Sequence, residues 1–591
     1  MTVRVPPRYY GGAPASHSPR EQTMIVQRLH EIQERCGYLP EAEMRALSAE
    51  IGEPLHRLHE VASFFPHYRL APGPAARVLV CRDMACHLRG AAELETDLKG
   101  LANELGEAKL TVGKASCLGR CDHAPSVVIN DKVYWDKSAS ELREMIRLAV
   151  VDPTQPPMQH ASRVKPGWKI DPYDGEPRYE AARKLAQGGD VDAALEQMET
   201  SKLFGMGGAA FATTHKWKSV RKAPGAIKYV VCNGDESEPG TFKDRDLMRL
   251  APHLVVEGVI IGALVIGARR GTIYIRHEYE EEIAAVKAAV EAARAMGALG
   301  PDIFGTGRAM EIDVFVSPGG YICGEESALL EAMEDRRAEP RNKPPFPMYT
   351  GLYGKPTLIN NVETLSWVPS ILLNGGAWYR DQGIGGGTGL RFFSIAGDVE
   401  RPGVYEIPTG TTLRRLVFDH AGGMRGGQAL RAVAFSGPSG GLTPARVKVE
   451  NVGRRWSKDH PPGDDGTYDV LDLPLEPESF RAIGTMLGAA ITIIGAEANL
   501  LDFALSCLRF YRDESCGKCV PCRVGSQKLV DLAESLARGN FPRSGLGLVD
   551  ELSRAMVLTS ICGLGMVAPS PLTSLIKHFP EAVEPYLAPA R

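Results

Sequence analysis

The spacing of hydrophobic and polar positions changes several times along the chain, and each change predicts a different kind of element. Ile25, Leu29 and Ile32 recur at the spacing of one helix face and open the first apolar pattern. We therefore predict a small helical bundle over residues 21–70, preceded by a flexible lead-in at 1–20 that is rich in Pro and Gly.

A second unit, predicted at 76–150, follows a break rich in Pro and Gly at residues 71–74. Apolar and β-branched residues crowd positions 77–81, which predicts a strand. Residues 126–130 and 133–135 form two further runs around an Asn-Asp pair, and this arrangement predicts a hairpin.

Residues 151–190 are predicted to be a linker, because six prolines and few long apolar runs fall between 151 and 186. Beyond them, β-rich runs alternate with apolar helical stretches over 191–385. This alternation predicts an α/β layer with a partly parallel sheet. The runs that predict its strands lie at residues 228–232, 272–276 and 312–316.

The remaining chain divides into a β-rich module and a helical tail. Short strands and Gly/Pro turns predict the module over 386–480, and residues 485–591 are predicted to be mainly helical. The most apolar window of the whole chain, 254–268, is shorter than the roughly 20 residues that a membrane span needs and contains Glu257. We predict a buried helix there and no transmembrane segment.

Length, charge and cysteine content narrow the class of protein. A chain of 591 residues should hold about four domains. Its 68 basic and 72 acidic residues give a net charge of -4, which argues against a nucleic-acid partner. Because the N-terminus shows no secretory apolar region, we expect a cytoplasmic protein whose 12 cysteines stay reduced and serve metals or catalysis.

Four cysteines near the C-terminus have the spacing of cluster ligands. Cys516, Cys519 and Cys522 are separated by two residues each, and Cys562 supplies a fourth thiol. Three thiolates in one turn plus a distant fourth are typical of a [4Fe-4S] cluster. A structural zinc ion held by the same four thiolates is the alternative.

A second set of four cysteines lies in the N-terminal half. Cys81 and Cys86 form one pair, and Cys117 and Cys121 form the other. Two pairs can hold two irons as a [2Fe-2S] cluster, and zinc is again the alternative. The four cysteines that remain are read as small buried hydrophobic residues. These are Cys36, Cys232, Cys323 and Cys507.

Several polar segments add candidate ligand contacts. The glycine-rich residues 205–211 precede Lys216, so that backbone amides and a cation could approach a phosphate. Residues 233–240 bring polar side chains to a strand end, where α/β sheets bind ligands. An ordinary turn and a solvated acidic loop are the respective alternatives. Two adjacent carboxylates in 323–327 and a cation and aromatic ring in 343–346 extend the set.

Five runs of this sequence resemble the NADH-binding flavoprotein subunit of respiratory complex I, and residues 77–135 resemble its small thioredoxin-like [2Fe-2S] subunit. The runs are NGDESEPGTFKDR at 233–245, YICGEESALL at 321–330, KPPFP at 343–347, GKPTLINNVET at 354–364 and ESCGKCVPCR at 514–523. A fusion of both subunits is similar to the diaphorase subunits of soluble NAD-dependent formate dehydrogenases and NAD-reducing hydrogenases.

The resemblance implies a multidomain α/β fold: a helical bundle, a thioredoxin-like domain, a Rossmann-like FMN/NADH domain, a β-grasp module and a helical [4Fe-4S] bundle. It implies FMN contacts at Gly205, Gly207, Lys216, Asn233, Asp235, Glu236, Ser237, Glu325, Asn360 and Asn361. It implies NAD contacts at Phe211, Glu238, Glu326, Lys343 and Phe346. The glycine loop departs from the family pattern GRGGAGFPTG at Met206, Ala210, Ala212 and Thr214.

The resemblance further implies a diaphorase that exchanges electrons between NAD(H) and iron-sulfur clusters through FMN. No formate or hydrogen site is recognisable, so we expect a separate iron-sulfur-containing catalytic subunit, the alpha subunit of a formate dehydrogenase. Gly234 and Met206 favour that partner, because Ala and Arg are usual there in complex I. The alternatives are a subunit of an NAD-reducing hydrogenase or of a complex I-like enzyme, and a flavin-free electron-wiring scaffold.

Overall fold

The computed structural model describes residues 24–153, 159–160 and 167–588. The predicted lead-in at 1–20 lies outside the described residues, as do parts of the predicted linker. The described chain opens with three helices whose apolar faces are buried against the α/β layer. Ile25, Leu29 and Ile32 are buried as their spacing predicts. The helices are α1 (Ile25–Cys36), α2 (Glu41–Ile51) and α3 (Leu55–Phe64).

The second unit is a four-stranded sheet in the order β2-β1-β3-β4 with helices packed on it. Strands β1 and β2 are parallel, whereas β3 pairs antiparallel with β1 and β4. The predicted hairpin is present, and Asn130 and Asp131 occupy its turn at φ 49° and 68°, which Asn and Asp tolerate. The elements are β1 (Ala76–Cys81), α4 (Met84–Leu88), α5 (Ala91–Leu105), β2 (Leu110–Ala115), β3 (Val127–Ile129), β4 (Lys132–Tyr134) and α6 (Ala139–Val151).

Part of the predicted linker is a buried helix instead. Residues 180–186 form α7 (Glu180–Ala186), in which Ala182 and Leu185 are buried. The Ala182 amide and the Tyr173 hydroxyl both donate to the buried Glu257 carboxylate, at 3.0 Å each. The helix therefore forms because it covers the apolar stretch around Glu257 and donates to one oxygen of that carboxyl group, a long-range requirement that a count of prolines does not reveal.

A parallel four-stranded sheet in the order β7-β6-β5-β8 forms the centre of the molecule. Three of its strands match the three runs predicted from the sequence, whereas the fourth strand, at 357–361, was not among them. Most of the apolar window 254–268 lies in the buried helix α11. The elements after α7 are α8 (Val191–Ser201), α9 (Thr213–Lys222), β5 (Tyr229–Gly234), α10 (Lys243–Leu250), α11 (Pro252–Ile266), β6 (Arg270–Arg276), α12 (Glu280–Ala295), β7 (Glu311–Ser317), α13 (Glu326–Met333), β8 (Thr357–Asn361), α14 (Val362–Asn374) and α15 (Gly376–Arg380).

Helix α11 also bears on the membrane question. Across the described ranges, no single helix meets the length and apolarity that crossing a bilayer requires. Within the same described residues, one pair of helices meets both criteria when taken together: α10 and α11, which are bent by 94° at their junction.

The β-rich module is a five-stranded mixed sheet in the order β10-β9-β15-β11-β12. Its strand β15 lies between β9 and β11, although residues 490–495 fall beyond the predicted end of the module at 480. All six residues of β15 are buried, so the strand has no polar alternation to announce it. The elements are β9 (Leu390–Gly397), β10 (Gly403–Pro408), α16 (Leu413–Arg415), β11 (Leu430–Phe435), β12 (Thr443–Pro444), β13 (Arg446–Lys448), α17 (Arg454–Asp459), β14 (Thr467–Asp469), α18 (Pro477–Ala482) and β15 (Ala490–Gly495).

The C-terminal unit is mainly helical, as predicted. Helices α19 and α20 pack against each other, and α23 lies on α19. The elements are α19 (Leu500–Asp513), α20 (Val520–Ala537), β16 (Phe541–Pro542), α21 (Leu546–Thr559), α22 (Gly563–Val567), α23 (Ser570–His578), α24 (Pro580–Val583) and β17 (Leu587–Ala588).

Candidate cofactor sites

Four segments named in the sequence analysis meet at the carboxyl ends of β5 and β8. These strands are parallel neighbours, and Asn233 pairs in register with Asn361. A methyl group at Gly207 would lie 3.2 Å from Asn361 Cβ, which places the glycine-rich loop across this end of β8. The Asn233 side-chain amide donates to the Gly324 carbonyl at 2.9 Å and brings residues 321–326 to the same place.

The glycine-rich loop closes on itself and leaves its outer face accessible. The Gly205 amide donates to the Phe211 carbonyl at 2.8 Å, and residues 207–211 are exposed. Gly208 has φ 101°, and Ala210 has φ 47° where the related families have Gly. The exposed, nearly side-chain-free backbone fits a phosphate-bearing ligand, although Ala210 carries backbone strain.

Met206 and Gly234, two departures from the complex I pattern, both have local packing roles. The Met206 side chain is buried in the apolar core of the α/β layer. A methyl group at Gly234 would lie 2.7 Å from the Tyr274 carbonyl oxygen and 3.2 Å from Met248 Sδ. Only Gly fits at this position, so packing explains it without reference to a partner.

The acidic loop after β5 is buried rather than solvated. Burial raises the pKa of Asp235 to about 7, although the Ser237 and Ser317 hydroxyls donate to its carboxylate. Burial also raises the pKa of Glu236 to about 8. The Glu236 carboxylate accepts the first amides of α10, those of Asp244 at 2.9 Å and Arg245 at 3.0 Å. This side chain is therefore committed to holding the loop on α10.

The asparagine side chains are committed in the same way. Asn360 accepts from the Trp217 indole at 2.9 Å, and Asn361 donates to Asp244 at 2.6 Å. Asn361 also caps α14 by accepting from the Glu363 amide at 3.0 Å. These residues shape the walls of the site through contacts with one another, which pre-organises the backbone that a ligand meets.

Two lysines and two glutamates form a compact charge cluster beside the glycine loop. Lys343 Nζ donates to Glu325 at 2.6 Å and to Glu326 at 2.9 Å. Lys216 Nζ lies 3.7 Å from Glu326 and donates to the Ile359 carbonyl at 3.0 Å. Glu326 is therefore not a solitary surface carboxylate, because both predicted cations neutralise it.

The predicted aromatic contacts lie next to this cluster and face solvent. Phe211 is 41% exposed and Phe346 is 44% exposed, fractions that are high for large apolar rings and leave them available to a flat ligand. Lys216 Nζ lies 5.9 Å from the centroid of the Phe211 ring. Glu238 is held differently, since it accepts from the Ser439 hydroxyl at 2.7 Å on the β-rich module, and burial raises its pKa to about 7.

The N-terminal cysteine set is buried and compact. Cys81, Cys86, Cys117 and Cys121 are each at most 3% exposed. The sulfurs of Cys117 and Cys121 lie 3.4 Å apart, and the Gly119 amide donates to Cys117 Sγ at 3.4 Å. Four buried thiols with no disulfide among them are a fitting donor set for an iron-sulfur cluster.

Two buried arginines that the sequence analysis missed fasten this set to the α/β layer. Arg245 binds Asp122 through both guanidinium nitrogens, at 2.9 Å and 2.7 Å, and donates to the Gly119 carbonyl at 2.7 Å. Burial opposes the charge on Asp122, but Arg245 prevails and lowers the pKa of Asp122 to about 2. Arg276 donates to the Cys117 carbonyl at 2.6 Å.

The C-terminal cysteine set is closer to the surface. Cys516, Cys519 and Cys562 are half-buried, and only Cys522 is fully buried. A methyl group at Gly565 would lie 2.9 Å from Cys522 Cβ, so the segment after Cys562 packs on the CxxCxxC turn. Burial raises the pKa of the Cys562 thiol to about 12, and a bound metal would supply the charge that makes such a thiol ionise.

Exposed apolar residues flank this second set along the chain. They precede or follow the cysteines by a few residues on the mutually packed helices α20, α21 and α22. We call them the C-terminal apolar surface: Val520, Val524, Val557, Leu558 and Met566, which are between 40% and 70% exposed.

Glu514 joins the two cysteine regions. It accepts from the Ser116 hydroxyl, next to Cys117, and from the Tyr321 amide at 2.8 Å. Its own position is two residues before Cys516. No local spacing pattern marks Glu514, Arg245 or Arg276 as a site residue. Arg245 and Glu514 do lie inside the quoted family runs, and Arg276 ends a predicted strand.

Four family models match the chain and together cover about three quarters of its 591 residues. They are a thioredoxin-like [2Fe-2S] ferredoxin at residues 13–149, the Nuo51 FMN-binding domain at 198–370, an SLBB domain at 392–443 and the NADH-ubiquinone oxidoreductase-F iron-sulfur binding region at 502–586. These matches confirm the predicted fold class and identify iron-sulfur regions where zinc was the alternative.

Curated relatives and solved structures give the same result. The F component of the NADH-quinone oxidoreductase of Aquifex aeolicus is 39% identical over 71% of this chain and 91% of that protein. The HndC component of the NADP-reducing hydrogenase of Solidesulfovibrio fructosivorans is 36% identical over 71% of this chain and 80% of that protein.

The crystal structure of an NAD+-reducing [NiFe]-hydrogenase in the air-oxidised state contains a chain 29% identical to this one. It superposes with a TM-score of 0.82 over 97% of this chain and 96% of that chain. The described geometry, the four matched domains and these identities lead to one conclusion: the chain belongs to the family of the NADH-quinone oxidoreductase F component, fused at its N-terminus to a thioredoxin-like [2Fe-2S] domain, and it is an NADH-binding diaphorase subunit with FMN, one [2Fe-2S] and one [4Fe-4S] cluster.

Proposed function

We propose that this chain is the diaphorase subunit of a cytoplasmic NAD-dependent formate dehydrogenase, which exchanges electrons between NAD(H) and a separate iron-sulfur-containing catalytic subunit. The observation that carries the diaphorase assignment is the convergence of three ligand sites in one body. The glycine loop and the polar ends of β5 and β8 meet residues 321–326, and Glu514 ties that segment to the regions of both cysteine sets.

The FMN site is assigned to the loop and strand ends described above. Its proposed contacts are Gly205, Gly207, Lys216, Asn233, Asp235, Glu236, Ser237, Glu325, Asn360 and Asn361. Backbone amides of the glycine loop would hold the phosphate, because the side chains of Glu236, Asn360 and Asn361 already hydrogen-bond to neighbouring protein groups. When bound, FMN supplies the step from two-electron hydride chemistry to one-electron transfer.

The NAD site is assigned to Phe211, Glu238, Glu326, Lys343 and Phe346. The two exposed rings offer flat apolar faces for the bases, and Lys343 offers a cation to the pyrophosphate. Glu326 would hydrogen-bond the adenosine ribose, and a 2′-phosphate would meet its negative charge. No side chain needs to act as a general base, since hydride transfer moves no proton from the substrate carbon.

The two cluster sites are assigned to the two cysteine sets. The [2Fe-2S] cluster would be held by Cys81, Cys86, Cys117 and Cys121, and the [4Fe-4S] cluster by Cys516, Cys519, Cys522 and Cys562. The C-terminal apolar surface adjoins only the second set, which supports docking of the catalytic subunit there.

The choice of formate dehydrogenase rests on the sequence at two positions, Gly234 and Met206, and both also have local packing roles. A second candidate is favoured by a different observation: a chain of an NAD+-reducing [NiFe]-hydrogenase aligns with 97% of this one. Neither formate- nor hydrogen-activating residues are recognisable in this chain, so a partner subunit decides between the two.

Co-purification from the native host, followed by mass spectrometry and paired assays, tests the proposal. We expect formate-dependent reduction of NAD+ and recovery of a formate dehydrogenase alpha subunit. Hydrogen-dependent reduction of NAD+ with a nickel-containing partner would replace the formate assignment by the hydrogenase one. A flavin-free chain that cannot pass electrons from NADH to a dye would favour the electron-wiring scaffold instead.

A further inference from the structure

Arg276 directly connects the loops of two cofactor sites. It ends strand β6 and is 3% exposed. One guanidinium nitrogen donates to the Cys117 carbonyl at 2.6 Å, and the other terminal nitrogen donates to the Glu236 carbonyl at 2.7 Å. A single planar group therefore joins the cysteine loop to the loop assigned to FMN, a geometry that Arg provides and Lys does not.

The charge of Arg276 is held in place by one carboxylate. Its Nε donates to Glu278 at 3.0 Å, and Nη2 lies 3.0 Å from the other Glu278 oxygen. Burial works against ionisation of Glu278, but Arg276 and His277 outweigh it and lower the pKa of Glu278 to about 2. Tyr279 covers the guanidinium, whose carbon lies 5.2 Å from the centroid of its ring.

We propose that Arg276 is a positioning residue for the [2Fe-2S] cluster, which sets the affinity of the cluster for an electron and fixes its loop against the loop assigned to FMN. This inference rests on the proposed ligand set of Cys81, Cys86, Cys117 and Cys121.

The electrostatic reasoning is simple. Reduction adds one electron and one negative charge to the cluster, and a buried cation at the Cys117 carbonyl stabilises that charge because little water screens it. The Glu278 carboxylate, which contacts Nε and Nη2 of the same guanidinium, opposes this effect. The net charge and the hydrogen bonds around a cluster are the levers by which a protein tunes its potential.

The test is a potentiometric titration of the holoprotein, followed by the electron paramagnetic resonance signal of the [2Fe-2S] cluster. Arg276→Gln should lower the electron affinity at least tenfold, which is about 59 mV to more negative potential for a one-electron couple. Glu278→Gln should move the midpoint in the opposite direction. Arg270→Gln, exposed at the other end of the same strand, should leave it unchanged.

Opposite shifts separate a charge effect from mere loosening, because loosening would move both variants the same way. Arg276→Lys keeps the charge and should hold the midpoint near the wild-type value. It should nevertheless speed hydrogen exchange at residues 117–123 at least tenfold, since one amine cannot bridge both carbonyls as the planar fork does. This exchange readout does not depend on activity.

An Arg276→Gln midpoint equal to that of wild type overturns the proposal. If that variant retains no cluster, Glu278→Gln decides, and a midpoint that does not rise overturns it as well. Failure of the underlying ligand assignment looks different: a Cys117→Ser protein that keeps an unaltered [2Fe-2S] signal would show that the cluster lies elsewhere.

Discussion

The two cysteine regions of this molecule differ in how they meet the rest of the chain and the solvent. The N-terminal set is completely buried, and the Arg245–Asp122 pair and Arg276 fasten it to the α/β layer. The C-terminal set is half-buried and adjoins an exposed apolar surface. We infer that the N-terminal set suits electron exchange within the chain, whereas the C-terminal set can also be reached from outside.

The largest effect is expected from removing one cluster without the other. Cys519→Ser should abolish the [4Fe-4S] signal and reduce the iron content from about six to about two per chain, because a cubane needs its thiolates and the sets lie in separate domains. Iron analysis and electron paramagnetic resonance measure both. Cys36→Ser, at a cysteine outside both sets, is the control and should keep about six irons. Loss of both signals in Cys519→Ser would mean that the sites are not independent.

The next largest effect concerns the attachment of the N-terminal cysteine set to the α/β layer. Asp122→Ala removes the two hydrogen bonds that this carboxylate accepts from the buried Arg245 and leaves the guanidinium with Asp246, at 3.1 Å, as its remaining carboxylate, which costs about 1.5–3 kcal/mol. Visible circular dichroism of the [2Fe-2S] chromophore during heating should show an earlier loss of signal. Asp531→Ala, which removes an exposed partner of Lys528, should change stability by about 0.5 kcal/mol or less. Equal melting of the two variants would contradict the role of the buried pair.

The access to the C-terminal cysteine set can be tested by placing a charge on the C-terminal apolar surface. Leu558→Asp should slow electron transfer to the catalytic subunit by about tenfold, the cost of one important interface residue, while dye reduction by NADH continues. Leu148→Asp places the same charge at a 51% exposed leucine on the [2Fe-2S] domain and should have no effect. If the two variants behave alike, the C-terminal apolar surface is not the docking site.

A smaller effect is expected at the proposed nucleotide site. Glu326→Gly removes the ribose partner and the repulsion of a 2′-phosphate together, so NADH use should fall modestly and NADPH use should rise. The ratio of kcat/KM for the two nucleotides is the quantity to compare, because it reports the difference in transition-state binding. An unchanged ratio would remove Glu326 from the discriminating role.

The smallest effect is expected at the glycine loop. Ala210 lies at φ 47°, so Ala210→Gly should relieve about 1 kcal/mol of backbone strain and raise the free energy of unfolding by about that amount. Chemical denaturation followed by circular dichroism measures the change. The exposed Ala209→Gly is the neighbouring control, and a larger gain there would contradict the assignment of strain to Ala210.

The fold class could be predicted from the sequence, and the cluster ligands could be proposed from it, because their signals are local. The Cys516–Cys522 run spans only a few residues, and so does each strand-like run and the Asn130-Asp131 turn. Arg245 and Asp122 are 123 residues apart, and Arg276 and Cys117 are 159 apart, so no local pattern pairs them. Helix α7 and strand β15 were misplaced for the same reason, since each owes its position to burial against distant elements.

The FMN-dependent path from NADH to the two clusters can be tested on the anaerobically purified chain, through its composition and its response to NADH. We expect a brown protein with about six irons and about one FMN, whose visible spectrum bleaches when NADH is added without any partner subunit. A colourless, zinc-containing protein, or a spectrum that NADH leaves unchanged, would contradict the assignment of an FMN-dependent path from NADH to two iron-sulfur clusters.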